Sequence, residues 1–460
     1  MQHQWDLIVI GGGPSGLNAA SAAAENCLEV LLIDEQKMPG GQIYRKLSAE
    51  TAEKRFLQAD DRKTGLDIIN RFLKSGAHYA PETIIWFAEP GRVICSHKGK
   101  SSEIKSQYMV VATGAMERPV PFAGWTLPGV MGAGAIDILY KDAGVTPPGP
   151  VVIAGNGPLI PLVSSHLSSL GVDIAAILDM ALFTKRLTSL GALPRAMKDM
   201  PFLLKGAGMM KKLYLSKVPI VHGVTQIAAH GNQRLASVSC VTPRKIFEFE
   251  AATLLSHHGV IPRTHMSRML RLEHAWDFQQ RYWYPKTDDR GRSSNERIYV
   301  IGDSAFVHGA DASALKGTMA GIDVSLRLNM ISSAEASNQC HAVDKRMNKT
   351  LAPRSFVDNW FAPNPELYKV DDDVIVCRCE RVRASDIRMA VEQGCHEVNE
   401  IKIRTRCGMG NCQGRMCGPA VAEIAAEAIG AEVSQVSSLN IRPPIRPISF
   451  GQICDVEYIH

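Results

Sequence analysis

The 460-residue chain is marked first by what it lacks. Met1-Gln2-His3-Gln4-Trp5-Asp6 runs straight into the apolar Leu7 to Ile10, without the charged n-region, long apolar core and cleavage site of a secretory leader, so the chain is expected to be cytoplasmic. No stretch approaches the roughly 18 uninterrupted apolar residues of a membrane span. Even Val151 to Val163 is broken by Gly155, Asn156, Gly157 and two prolines, so no transmembrane segment is expected. Excess charge of one sign is missing too. Lys and Arg number 51 against 46 Asp and Glu, and a net +5 over this length offers no basic stripe to a nucleic acid. Hydrophobic residues at 45% and charged residues at 21% exclude disorder and collagen. Finally, Cys-x-x-Cys occurs nowhere, although 11 cysteines are present and six of them fall between Cys377 and Cys417. In a reducing cytosol such clustering points to metal ligands or catalytic thiols rather than disulfides.

What is present begins with a strand, a turn and a helix. The strand is Leu7-Ile8-Val9-Ile10, the turn Gly11-Gly12-Gly13-Pro14-Ser15-Gly16, and the helix the Ala-rich Leu17 to Ala24. Gly11 permits the tight turn, Gly13 lets backbone approach a pyrophosphate, and Gly16 lets the helix pack close to the strand. The next strand, Val30 to Ile33, ends at Asp34-Glu35, where a carboxylate can accept hydrogen bonds from a ribose. This unit predicts dinucleotide binding.

The pattern returns at Val151-Val152-Ile153-Ala154, turning through Gly155-Asn156-Gly157-Pro158 and reaching Asp179 after a second strand, Ile174 to Leu178. Ile160 stands where the third glycine belongs and would hold the helix farther from the strand. Two readings stay open here: an NAD- or ATP-like nucleotide held by Gly155, Gly157 and Asp179, or a domain that keeps only the fold.

After Gly40-Gly41-Gln42 come Val110-Val111-Ala112-Thr113-Gly114 and, much later, Ile298-Tyr299-Val300-Ile301-Gly302-Asp303. In this order the chain resembles the two-dinucleotide-binding-domain flavoproteins of the disulfide-reductase type. That resemblance implies FAD held by Gly11, Gly13, Pro14, Ser15, Gly16, Asp34, Glu35, Gly41, Gln42, Ala112, Thr113, Gly114, Gly302 and Asp303, with Asp303 on the ribitol. The chain departs from the class after Gly41, where Gln42-Ile43-Tyr44-Arg45 contains no cysteine, so a thiol relay is not expected. His257-His258 reads as a structural pair beside a turn, and Arg281-Tyr282-Trp283-Tyr284 as packing under the flavin domain.

The cysteine cluster offers another route for electrons. Cys377-Arg378-Cys379-Glu380 is followed by Cys412-Gln413-Gly414-Arg415-Met416-Cys417. In an extended strand Cys377 and Cys379 would share one face, and the second pair leads into the apolar helix Ala420 to Ala428, whose N-terminus favours negative charge. Four thiolates in this arrangement suit a [2Fe–2S] centre better than zinc, whose cysteines usually stand two to four apart. The expected ligands are Cys377, Cys379, Cys412 and Cys417, with Cys407 an unresolved fifth candidate because it repeats the same spacing. The region resembles the bacterioferritin-associated-ferredoxin-like domain, with four residues inside its second pair where that domain has two.

The fold expected is therefore α/β: two Rossmann-like dinucleotide-binding domains plus a small C-terminal [2Fe–2S] domain. The parts are a discontinuous FAD domain over 1–140 and 285–330, an inserted nucleotide-type domain over 145–270, a connector over 331–371, the cluster domain over 372–428 and a tail over 429–460. Together with Gly124-Trp125-Thr126-Leu127-Pro128-Gly129-Val130 and Arg442-Pro443-Pro444-Ile445-Arg446-Pro447, the order of motifs resembles the alpha subunit of heteromeric amino-acid and opine dehydrogenases, relatives of opine oxidase, hydroxyproline dehydrogenase and hydrogen cyanide synthase. The resemblance implies a partner beta subunit that oxidises the amine on its own flavin, with a further flavin shared between the subunits. A [2Fe–2S] centre takes one electron at a time, which suits a quinone or one-electron carrier as acceptor, and through that acceptor the otherwise cytoplasmic complex would be peripheral to the membrane. No residue of this chain is assigned to the chemical step. The alternatives are a self-sufficient NADH-dependent reductase and a non-catalytic metal and nucleotide scaffold.

Overall fold

The computed structural model describes residues 4–48 and 59–457, so the opening Met1-Gln2-His3 lies outside the described residues. Strand Trp5–Ile10 runs parallel between Val30–Ile33 and the long strand Lys100–Val111, in the registers Leu7↔Val30 and Ile10↔Val111. From late in the chain, Ile298–Val300 joins the other side of Lys100–Val111. A central parallel strand is covered on both faces and so reads as an unbroken apolar run. Leu7 and Val9 face a core that includes Leu17, Ala320 and Val324, whereas Ile8 and Ile10 face Met109, Val111 and Met266.

Helices Pro14–Glu25 and Ala310–Arg327 cover the first of these faces and cross in close contact. A Cβ on Gly317 would stand 2.1 Å from the Ser15 carbonyl oxygen, and one on Gly321 2.5 Å from that of Ala19. Small residues at this crossing let the helix behind the first glycine turn lie against the helix that follows Asp303.

A second, five-stranded parallel sheet has the order Ile220–His222, Ile174–Asp179, Val151–Gly155, Thr253–His257, Val130–Gly132. Its edge strand Val130–Gly132 and the helix Ala133–Ala143 precede the stretch expected to form the insert. Ala133 and Ile136 nevertheless pack with Val151, Ile153 and Leu255 of this sheet. A three-residue strand shows too little alternation for its sheet to be read from sequence.

The C-terminal region contains helices Ala384–Glu392, Val398–Thr405 and Gly418–Ile429 beside the short pair Ile375–Cys377 and Val382–Arg383. Its core also takes in Leu367 and Tyr368 from the connector and Val433, Val436 and Leu439 from the tail. Among the described residues, no helix is long and apolar enough to cross a membrane.

Candidate functional site

A cleft of about 680 Å³ opens at the C-terminal ends of the first sheet's parallel strands, where open α/β sheets place their ligands. Gly11, Gly13, Pro14, Ser15, Asp34, Glu35, Gly41, Gln42, Ala112, Thr113, Gly114 and Asp303 all line it. Gly16 and Gly302 lie beneath the lining. A Cβ on Gly16 would stand 1.8 Å from the Gly11 carbonyl oxygen, and one on Gly302 2.7 Å from Ser15 Oγ. Gly13 is the opposite case, since a Cβ there would meet nothing within 4 Å. Its backbone faces open cleft at a helix N-terminus, as an incoming pyrophosphate requires. Gly41 has φ +64°, and a Cβ on it would come 2.7 Å from Gly13 Cα.

Two carboxylates mark the ends of the cradle. Asp34 Oδ1 accepts from the Gln36 backbone N–H at 2.6 Å and Oδ2 from that of Gly12. Burial pushes its pKa up, and these donors pull against that rise. Asp303 Oδ1 accepts from the backbone N–H groups of His308 and Gly309, both at 2.9 Å, and from Ser313 Oγ at 3.1 Å. Its other oxygen has no such partner among the described residues and is available to a polyol hydroxyl. Glycine cradle, ribose-side acid and polyol-side acid share one cleft, and these residues fit FAD.

The second turn is built differently. Gly155, Gly157 and Asp179 do not line the cleft. Both oxygens of Asp179 are taken by Arg186, at 2.8 and 2.9 Å, and His222 Nδ1 also lies 2.8 Å from Oδ2. The Arg186 guanidinium in turn sits 5.5 Å from the ring centre of Trp360. Buried Asn156 donates from Nδ2 to the Ala362 carbonyl at 2.7 Å, which brings the connector onto the turn. A Cβ on Gly157 would meet the His257 ring at 2.5 Å. The acceptor a ribose would need is thus engaged by protein.

The cysteines separate into a triad and a pair. The sulfurs of Cys377, Cys407 and Cys417 lie within 4.8 Å of one another and all three residues are buried. The strand ends at Cys377, and Cys379 stands in the turn after it, so the common-face expectation for the two gives way to a turn geometry. There the exposed Cys379 accepts the backbone N–H of Cys412, yet partial desolvation and the sulfurs of Cys412 and Cys377 leave its pKa raised. A Cβ on Gly410 would stand 2.2 Å from Cys379 Cβ, so a glycine is required where this loop passes. Thiol donors from Cys407 and Cys417, with backbone N–H groups of Gly408 and Glu380, hold Cys377 down at about 2. Cys407 and Cys417 are correspondingly pushed up. This all-sulfur set, fed by backbone donors, fits a thiolate-ligated iron–sulfur centre.

The cleft and the cysteine loop share a wall. Arg415, between Cys412 and Cys417, lines the cleft and donates to the carbonyls of Cys412 at 3.2 Å and Ile445 at 2.9 Å. Burial, then Arg446 and Arg263, bring its pKa down to about 10. His265 also lines the cleft and bonds the Gln413 carbonyl at 3.0 Å. Behind this wall lies a cavity of about 80 Å³ that Arg268, Arg281, Trp276 and Trp283 help to enclose. Arg281, just before strand Tyr282–Pro285, forms an ion pair with Glu423 on the helix following Cys417, so the Arg281 to Tyr284 stretch braces the cluster region instead of only packing under the first sheet.

Arg263, His265, Arg415 and Arg446 carry no role in the sequence reading. Only the guanidinium inside a Cys-x4-Cys loop gave a signal that could have found one of them. His257 is buried with Nδ1 2.7 Å from Glu117 Oε1, and its neighbour His258 is buried beside Arg118, as suits a structural pair.

Comparison with known proteins agrees with this architecture. The family model for pyridine nucleotide-disulphide oxidoreductases matches residues 5–333, and that for the sarcosine oxidase A3 domain matches residues 374–455. The opine oxidase A-subunit of Agrobacterium tumefaciens (strain Ach5) is 34% identical over 465 residues, covering 99% of this chain and 92% of that protein. Hydrogen cyanide synthase subunit HcnB of Pseudomonas aeruginosa is 31% identical, covering 96% and 97%. The crystal structure of L-proline dehydrogenase from P. horikoshii superposes with a TM-score of 0.72 at 20% identity, over 98% of this chain and 79% of that one, and so shares its fold.

Proposed function

The chain belongs to the pyridine nucleotide-disulphide oxidoreductase family, as a relative of the opine oxidase A-subunit, and on that premise we propose that it is the electron-transferring subunit of a heteromeric amino-acid or opine dehydrogenase. It is an oxidoreductase, and the C–N bond is broken in an amine-oxidising flavoprotein beta subunit that shares a flavin with it. A quinone or one-electron carrier takes the electrons, at the membrane periphery.

Gly11, Gly13, Pro14, Ser15, Gly16, Asp34, Glu35, Gly41, Gln42, Ala112, Thr113, Gly114, Gly302 and Asp303 would hold FAD. Cys377, Cys379, Cys412 and Cys417 would hold the [2Fe–2S] centre. The choice of Cys417 over Cys407 follows from helix ends. Cys417 stands at the N-cap position of Gly418–Ile429, the helix end that suits a negatively charged cluster, whereas Cys407 follows the C-terminus of Val398–Thr405, the end that does not. When bound, a flavin accepts electrons as a pair and a [2Fe–2S] centre passes them on singly.

The observation that carries this reading is the shared wall: Arg415 and His265 line the nucleotide cleft while holding, or belonging to, the loop between Cys412 and Cys417. Arg415 places a fixed positive charge between the two sites, and its bonds to Cys412 and Ile445 keep the loop seated against the cleft. The purified chain is expected to show flavin absorption and iron but to oxidise no amino acid or opine until its partner subunit is added. Turnover by the chain alone would sink the proposal.

A further inference from the structure

The charge of the chain is not spread evenly. Between Phe183 and Lys217 stand eight Lys and Arg against the single Asp199, a net +7 in 35 residues. Since the whole chain is +5, the rest carries a net −2. Arg186 and Lys205 are engaged by Asp179 and Asp61. Lys185, Arg195, Lys198, Lys211, Lys212 and Lys217 are exposed.

Of the 22 exposed large hydrophobic side chains among the described residues, the same segment holds nine, including Phe183 at 77%, Leu215 at 68% and Leu204 at 63% exposure. Helix Met200–Leu215 explains the concentration. Only Leu213 is buried on it, while Leu203, Met209 and Met210 are half-buried on the same side. Met200, Leu204, Ala207, Gly208, Lys211 and Leu215 follow one another at helical spacing on the opposite side, and all six are exposed. A helix apolar on both sides is normally covered on both. Here the described residues cover one, while Lys211 stands on the other among its apolar side chains and Lys212 at its edge.

We propose that the segment Phe183–Lys217 is a docking surface for an anionic lipid bilayer, with helix Met200–Leu215 lying in the interface plane. The composition decides between occupants. Lysine is depleted at protein–protein interfaces, whereas an apolar face with lysines on it and at its edge, whose long stems let the charges reach outward, matches acyl chains below and anionic headgroups around. The apolar face likewise has no counterpart on a nucleic acid. The proposal deepens the membrane-peripheral part of the function proposed above and rests on that part alone. It needs no turnover to test.

The test is flotation of the full chain, and of its complex with the partner subunit, with vesicles of phosphatidylcholine and phosphatidylglycerol in equal parts. Both should float, remain behind with phosphatidylcholine alone, and be released at high salt. Lys211→Gln and Lys212→Gln should each weaken partitioning about fivefold, and Leu204→Ser should weaken it without altering the flavin spectrum or thermal unfolding. Three results would overturn the proposal: no flotation of the unaltered protein, variants that float as it does, or loss of the partner subunit from the lysine variants with flotation unchanged. The last would make this face a protein interface.

Discussion

His265 Nε2 lies 3.0 Å from the Gln413 carbonyl oxygen, so a side chain of the nucleotide cleft is fastened to the loop between Cys412 and Cys417. Burial first, then Arg415 beside it, brings the His265 pKa down to about 3, so the ring is neutral near pH 7 and Nε2–H donates. Replacing it by Phe leaves the half-buried carbonyl without this donor, at a cost of about 1 kcal/mol. Thermal unfolding of His265→Phe should show that loss. The cluster absorption should weaken with it, whereas a His265 that merely fills space would leave the spectrum unchanged.

Three histidines predict how stability responds to acid. Burial depresses His258, His265 and His274 to about 3 from the ordinary 6.5. For a base with a lowered folded pKa, the unfolded chain takes up the proton first. Stability is therefore complete above pH 6.5 and lost as pH falls from 6.5 toward 3. Each histidine contributes about 1.4 kcal/mol per pH unit in that window. Neither ring nitrogen of His258 has a hydrogen-bond partner among the described residues, so His258→Leu should keep the stability at neutral pH and lower the proton uptake on acid unfolding by about one. An unchanged pH slope would remove His258 from the account.

Serine substitutions sort the five cysteines. Cys377→Ser, Cys379→Ser, Cys412→Ser and Cys417→Ser should each deplete iron and acid-labile sulfide, while Cys407→Ser keeps both. Metal analysis of the five purified variants reads this directly. Iron lost from Cys407→Ser and retained in Cys417→Ser would reverse the assignment.

NADH should reduce the bound flavin slowly or not at all, because Arg186 and His222 occupy the Asp179 carboxylate and Asn156 is tied to Ala362. Anaerobic stopped-flow mixing measures it. Rapid bleaching would mean that the connector leaves this turn in solution.

The parts legible in the sequence are those where local chemistry has a single reading. Leu7 to Ile10 is apolar throughout because both its faces are covered, and Gly11, Gly13 and Gly16 stand where backbone approach demands them. The rest depends on partners distant in the chain. Val130–Gly132 is too short to announce its sheet, and Asp179 looks like a ribose ligand until Arg186 and His222 are placed around it. Cys379 was expected in a strand that ends two residues earlier. Arg415 was visible as a residue of the cysteine loop, but only the fold turns it toward the cleft.

The crossing of helices Pro14–Glu25 and Ala310–Arg327, with Gly317 and Gly321 against Ser15 and Ala19, also sets an order of events during synthesis. The glycine turn leaves the ribosome early, while Ile298–Val300, Asp303 and the helix that covers the turn emerge only after the entire second sheet. Until then, strand Lys100–Val111 has an open edge and helix Pro14–Glu25 an uncovered face, the features that make a nascent chain prone to aggregate. Growth of the second sheet in between therefore sets how long the first half must wait. Nucleotide capture by the finished cleft is a late step, one a truncated N-terminal fragment cannot reach.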